Sequence, residues 1–405
     1  VLFGTHGIAW AAEAQEPVSV GDRFKTEHQA QGLAIGGFEV RAGAELRAGH
    51  DDNITWSTVN APSSSLIELR GSAEATQQSG PYALSGSAML KHTFYPDASG
   101  HNLTEVNLRA GVSVDLAPEL VFRAAAAYVQ GAETGLTNGI VVNDVFEPYA
   151  ARAEFQRVPL GAELEYHRGR VELRGGVRVE AAHYDTQTTQ SGMRVVQDFR
   201  NGWEGEATLR ASYEAHPHLA AFVEVREGSR RYDDSNGDSD TWRAVVGGSV
   251  EITRLLIGEA HIGYGGQSLP NGGESDGLVF GANLNWFVMP LLSLTLNASR
   301  EFRAEVDVGA LGATSAVAVT QDAVSLRGEW EPVRRLLLYG QARYAREGRD
   351  TTDRSDELLS LIAGAAYVLS NNVSLELEYE REDGTSNFSG DFERNHVTLG
   401  LAAAY

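Results

Sequence analysis

The sequence predicts an all-β fold: a transmembrane antiparallel β-barrel of about eighteen strands, with both chain ends on the same, periplasmic side. Three observations predict it. Apolar and polar residues alternate with period two along most of the chain, short and long connections alternate between the alternating segments, and aromatic residues gather near both ends of the segments.

The alternation is the first of these. In Phe38–Ala48 one parity is apolar and the other is charged or glycine, and successive strand side chains point to opposite faces, so the ribbon has one greasy and one wet side. Val106, Leu108, Ala110, Val112, Val114 and Leu116 repeat the pattern against Asn107, Arg109, Gly111, Ser113 and Asp115. It returns in Val171–Val179, Leu278–Trp286 and Val397–Tyr405, and a helical period of 3.6 fits none of them.

The connections are an independent signal. Short ones fall at Gln77–Pro81, Ala117–Glu119, His167–Arg170, Ala215–His218, Thr253–Leu255, Val288–Pro290, Pro332–Arg334 and Leu369–Asn371. Between them lie mostly longer polar segments at 49–65, 95–101, 131–147, 185–202, 227–238, 267–275, 300–321, 347–355 and 383–391. Eight turns and nine loops join eighteen strands, the asymmetry of outer-membrane barrels with tight periplasmic turns and long external loops. A barrel of that size encloses a wide lumen, so the apolar face must meet lipid and the charged face water.

Aromatic placement follows from the same strand assignment. Tyr166, Tyr213, Trp286, Trp330, Tyr367 and Tyr405 end descending strands on the lipid face, and Tyr128, Tyr264, Tyr344 and Tyr379 end ascending ones. Tyr and Trp collect at the two membrane interfaces because one end of the ring is apolar and the other can be wet.

Composition agrees and excludes alternatives. The 405 residues hold 33 basic and 55 acidic side chains, a net charge of -22, which opposes binding to nucleic acid. No run of eighteen apolar residues exists, so a transmembrane helix is excluded, whereas barrel strands hide their apolar residues at alternate positions. The absence of cysteine removes disulfides, thiolate nucleophiles and thiolate metal sites. Residues 1–31 show no strand alternation and are expected to form a periplasmic or luminal extension before a barrel of residues 32–405. Ala12-Glu13-Ala14 faintly echoes a signal-peptidase site, but without a basic leader the stretch is expected to be a mature extension.

Gly32-Leu33-Ala34-Ile35-Gly36-Gly37-Phe38, then Asp51-Asp52-Asn53, resemble the opening of a putative β-barrel porin family of Gram-negative outer membranes. The resemblance continues through Gly258–Gly265, Leu284-Asn285-Trp286 and Asn395–Leu401, and covers most of residues 32–405. It implies an outer-membrane channel without catalytic residues or cofactors. Some members are associated with exopolysaccharide export alongside periplasmic and envelope-complex proteins. The closing strand ending on Tyr405 resembles the signal read by the barrel-assembly machinery, and lipid of the outer membrane is the remaining expected partner.

Candidate lumen-lining residues carry both signs: Arg41, Glu45, Arg109, Arg123, Glu172, Arg174, Arg178, Glu206, Arg210, Arg243 and Arg327. Such a wall either selects solutes by its local field or simply holds itself together by cross-strand ion pairs. Asn283, Asn285, Thr295 and Asn297 give a neutral lining that suits sugar hydroxyls or serves as polar filler. Ile140, Val141, Val142, Val145 and Phe146 make 131–147 unusually apolar for an external loop, so it either folds into the lumen as a constriction built from Val141, Val142, Asp144 and Phe146 or packs on its neighbours. Loop 300–321 and residues 1–31 are the other segments able to narrow the pore. The acidic run 233–240 has the oxygens that Ca²⁺ takes, but its glycine falls wrongly for an EF-hand and a solvated loop is the simpler reading. His216-Pro217-His218 is a turn and a weak metal candidate, and no Ser/His/Asp set converges. Three functions follow: a conduit for polysaccharide export, a passive diffusion porin, or a structural barrel anchoring a larger envelope assembly.

Overall fold

The structure is a computed structural model and describes residues 19–28, 31–58, 60–133, 139–142, 145–233, 237–252, 255–270, 273–308, 314–349 and 354–405. Eighteen long strands run antiparallel. In order they are β1 (Phe38–Asp51), β2 (Ser64–Ser79), β3 (Tyr82–Phe94), β4 (Leu103–Ala117), β5 (Leu120–Ala132) and β6 (Glu154–Arg168). Next come β7 (Val171–Tyr184), β8 (Gly202–His216), β9 (Leu219–Tyr232), β10 (Ser239–Ile252), β11 (Leu256–Ser268) and β12 (Glu274–Met289). The last are β13 (Leu292–Val308), β14 (Thr314–Val333), β15 (Leu336–Arg349), β16 (Ser355–Ser370), β17 (Val373–Ser386) and β18 (Phe392–Ala404).

Each strand pairs with its sequence neighbours, and β1 pairs with β18 from Gly43 opposite Ala404 to Asp51 opposite His396, closing the barrel. A short strand, Leu33–Ile35, doubles back on β1 opposite Phe38–Val40. Its two-residue turn is Gly36-Gly37 at φ 58° and 88°, a left-handed pair that suits the strand twist and is open to glycine at little cost. Both barrel termini lie at the short-turn end. The connections follow the sequence pattern, with two corrections: residues 227–232 of the segment 227–238 belong to β9, and most of 300–321 is strand, so that only 309–313, outside the described residues, separates β13 from β14. Ala316, Val317, Ala318 and Val319 are all buried, so the far end of this hairpin is covered on both faces. Ala316 and Ala318 pack with Ala304 and with Leu269 from the neighbouring loop.

The two faces of the wall are distinct. Leu108 (45% exposed), Val177 (58%) and Leu209 (69%) stand outward in the manner of a lipid-facing surface. The charged parity joins strands that are not neighbours, as in Arg210 of β8 with Glu259 of β11 and Arg243 of β10 with Glu301 of β13. Side chains two or three strands apart meet only on the concave side, so this face is the lumen. Among the described residues no helix is long and apolar enough to cross a membrane.

The one α-helix among the described residues, α1 (Val20–Glu27), precedes the barrel. Ser19 caps it by accepting from the Asp22 N–H, and Asp22 in the first turn complements the helix dipole. Its apolar residues Val20 and Phe24, one turn apart, are buried against Leu337, Tyr339, Ala366 and Val368. These four belong to the lumen-facing parity of β15 and β16, so the helix lies inside the barrel at the short-turn end.

Candidate functional site: the lumen and its constrictions

The lumen has three levels. At the short-turn end α1 is pinned to one side of the wall. The Val20 N–H donates to Ser293 Oγ at 3.0 Å and the Gly21 N–H to Glu329 Oε2 at 2.9 Å. Free N–H groups at a helix start favour a carboxylate, so Glu329 is suited to this place. Arg23 pairs with Glu331 at 3.0 Å. Gly21 is required by the close approach, because a Cβ there would overlap the Glu329 carboxylate. Beside α1 a cavity remains, bounded by Phe24, Lys25 and His28, by Tyr339 and Val368 beneath the helix, and by Glu45, Arg70, Glu376 and Glu378 of β1, β2 and β17.

The middle level is a lattice of ion pairs. Arg123, almost fully buried, meets Glu163 at 3.3 Å and Glu165 at 2.6 Å. Arg174 bridges Glu165 at 3.4 Å and Glu172 at 2.8 Å. Arg210 holds Glu259 through both amino groups, and Arg243 holds Glu224 at 2.8 Å. Arg226 reaches Glu206 at 3.3 Å, and Arg47 joins Glu45 at 2.5 Å to Glu376 at 2.8 Å. Arg41 pairs with Glu39, Arg178 with Glu180 at 2.8 Å, and Arg327 with Glu329 at 2.8 Å. Arg109 is exposed on the lumen wall and donates to Asn107 at 3.0 Å. Strands β12 to β14 differ. Asn283 donates to Asn297, Asn285 to Asn283 at 3.3 Å, Thr295 to Asn285 at 2.9 Å, and Asn297 to Ser325 at 3.4 Å.

The third level is the long-loop mouth. The segment after β1 turns inward, with Ile54 packed on Leu66 and Tyr95. Trp56, at φ 53°, donates from Nε1 to lumen-facing Glu382 at 2.6 Å and lies 4.5 Å from the Arg394 guanidinium. Arg394 is in turn paired with fully buried Asp51 at 2.8 Å across the β18–β1 seam. From the connection before β6 Arg152 reaches over Trp56 and Tyr95. Tyr149 accepts from Gln197 at 2.7 Å and packs with Ala153 and Val195, while Arg200 pairs with buried Glu133. Burial raises the phenols of Tyr95 and Tyr149 above the ordinary tyrosine range, which keeps both neutral.

Of the residues expected to constrict the pore, Asp144 lies outside the described residues, as do the side chains of Val141, Val142 and Phe146. The backbone there forms a ribbon, Gly139–Val142 against Val145–Pro148, whose first strand approaches β13 on a distant part of the wall. Residues 234–236 of the acidic run also lie outside the described residues, and no metal-binding cluster occurs among the described ones. Neither the alternation nor the turn spacing marks α1, Trp56 or the Asp51–Arg394 pair. One signal was present: Leu337, Ala366 and Val368 are apolar on the wet parity at the short-turn end, which requires a dry partner inside.

On the outer face Tyr166 pairs in register with Leu120 and Leu173, Tyr213 with Val171, Trp286 with Leu256, Trp330 with Leu292 and Tyr367 with Leu336, all at the short-turn end, and Tyr405 joins Ala42 there. Towards the mouth lie Tyr128 opposite Leu108, Tyr264 opposite Leu278, Tyr344 opposite Val324 and Tyr379 opposite Val397. Trp242 stacks within 6.2 Å of Tyr264, and exposed Trp203 stands at the same end.

Solved structures with similar architecture include the outer-membrane protein OpdK of Pseudomonas aeruginosa, 10% identical over 91% of this chain and 99% of that one with a TM-score of 0.47. OpdO of the same organism is 14% identical over 90% and 97%, with a TM-score of 0.47. The copper transporter OprC is 10% identical over 92% and 82%, with a TM-score of 0.48. No curated protein matches the sequence. The profile of the family described as "Putative beta-barrel porin 2" matches residues 26–405, which is nearly the whole chain. The chain therefore belongs to that family and is an outer-membrane β-barrel of the porin class.

Proposed function

We propose that the protein is a narrow, passive diffusion channel for small hydrophilic solutes, without catalytic activity, its short-turn end facing the periplasm. The observation that carries this reading is the open slot beside α1. Among the described residues the helix packs on β13 to β16 and leaves a cavity that runs from Tyr339 and Val368 beneath it to Glu45, Arg70, Glu376 and Glu378. Above the slot, wall charges are largely paired with one another, so they offer passing solutes hydrogen bonds without strong capture. Export of a polysaccharide would require α1 and the Trp56 loop to leave the path together, and no observation favours it. An anchoring barrel would have no use for a slot.

Reconstitution tests the proposal. The protein in planar bilayers should conduct KCl weakly but measurably, and proteoliposomes should admit a pentose faster than a trisaccharide. Absence of conductance, or uptake of the trisaccharide as fast as the pentose, would overturn it.

A further inference from the structure

We infer that the lumen carries a binding row for small hydroxylated carboxylates, of the sugar-acid class, on the wall formed by β12 to β16. The inference rests on the channel reading for its biological use and on the register of five residues for its chemistry. Asn283 stands directly opposite Asn297, Asn297 opposite Ser325, Ser325 opposite Arg343 and Arg343 opposite Ser360. Adjacent strands are about 4.8 Å apart, so the five residues form one line of roughly 19 Å across the strands. The line lies above α1, whose anchor Ser293 precedes Asn297 by four residues on β13, and below Arg303, which pairs with Glu347 at 2.7 Å.

Two properties set this line apart from the ion-paired wall. First, four of its members are neutral, and Asn283 and Asn297 are exposed to the lumen. Each amide has two donor hydrogens and an acceptor with two lone pairs, more than the bonds within the row consume. Such groups exchange water for a hydroxyl without stripping a charge of its solvent. Second, among the described residues Arg343 is a guanidinium left over. The carboxylates whose charge reaches it are Glu347 and Glu382. The former is committed to Arg303 at 2.7 Å and the latter to Arg394 at 2.9 Å. A guanidinium flanked by serines and amides matches a carboxylate carried on a hydroxylated chain, with the fork taking the carboxylate and the row taking the hydroxyls.

Calorimetric titration of the folded full-length barrel in detergent tests this with three probes: gluconate, glucose and propionate. Gluconate should bind at least about ten-fold tighter than either of the others, the gain expected of a charge-assisted hydrogen-bonded pair. Arg343→Gln should bring gluconate down to the level of glucose, Arg343→Lys should retain part of the preference, and Asn297→Leu should weaken gluconate and glucose together. Equal binding of the three probes by the wild type, or unchanged gluconate binding by Arg343→Gln, would overturn the site. A barrel that binds gluconate yet passes no KCl current would sink the diffusion reading and leave the row intact, whereas one that conducts without preference sinks the row alone.

Discussion

Replacing Phe24 by Ala should open the short-turn end of the barrel. Phe24 is 4% exposed and packs on Leu337 and Val368, themselves 4% exposed, so its truncation leaves a cavity costing about 3–5 kcal/mol. At about 1.4 kcal/mol per decade this moves the docking equilibrium of α1 by roughly two to three and a half powers of ten. The undocked helix has little to fall back on: with eight residues it is below the length of about 12–15 at which isolated helices become marginally stable. Ordering it costs about 1–2 kcal/mol per residue, which docking contacts must offset, so the margin holding it in place is narrow. Single-channel recording should show larger or more frequent openings for Phe24→Ala, and for Gly21→Val, whose side chain collides with Glu329. Thr26→Ala, on the exposed side of the helix, should behave as wild type. Conductance unchanged in both Phe24→Ala and Gly21→Val would refute α1 as the constriction.

Replacing outward Leu108 or Val177 by Arg should cost about 2–4 kcal/mol in folding stability in lipid, measured by denaturant titration, whereas inward Arg109→Leu should be far milder; equal costs would contradict the assignment of faces. Removing Tyr405 should reduce the amount of folded barrel delivered by the assembly machinery, because its N–H and C=O are bonded to Ala42 at 2.8 and 2.9 Å and its ring sits at the membrane interface; undiminished levels in the outer-membrane fraction would count against it. Deleting residues 136–145, which include part of the ribbon that approaches β13, should raise KCl conductance several-fold, and an unchanged current would place the ribbon outside the conducting path.

The barrel was legible because its constraint is local and repeated. A strand between lipid and water must alternate, and a one-residue slip would turn Leu108 inward and Arg109 outward, so every strand records its orientation. Loop contacts leave no such record. Nothing periodic announces that Trp56 meets Glu382, 326 positions away, or that Arg394 meets Asp51, 343 positions away. The helix was hidden for another reason. Val20 and Phe24 form a stripe too short to read as amphipathic, and only their receiving surface, Leu337 and Val368 on the wet parity, betrays them. The neutral part of the binding row, Asn283 and Asn297, was legible as a lining, but its join to a cation was not, because it depends on register between strands: Arg343 is unremarkable in its own strand, and the commitment of Glu347 and Glu382 to other arginines appears only when the neighbours are aligned.

The short strand at Leu33–Ile35 also bears on how the barrel finds its final seam. Before closure β1 and β18 each present a bare row of backbone donors and acceptors, the edge that invites pairing with a foreign chain. Leu33–Ile35 occupies Phe38–Val40 of the β1 edge, and β18 is left the stretch from Gly43 to Asp51. A strand that slid along this edge towards the short-turn end would collide with a place already taken. At the opposite end Asp51 and Arg394 meet as a buried pair only when the two edges are in step, so a slipped seam would leave the buried Asp51 carboxylate without its cation. The tucked strand and the ion pair thus act as a stop and a latch, and together they give a nascent barrel one closing position among the several that backbone hydrogen bonding alone would accept.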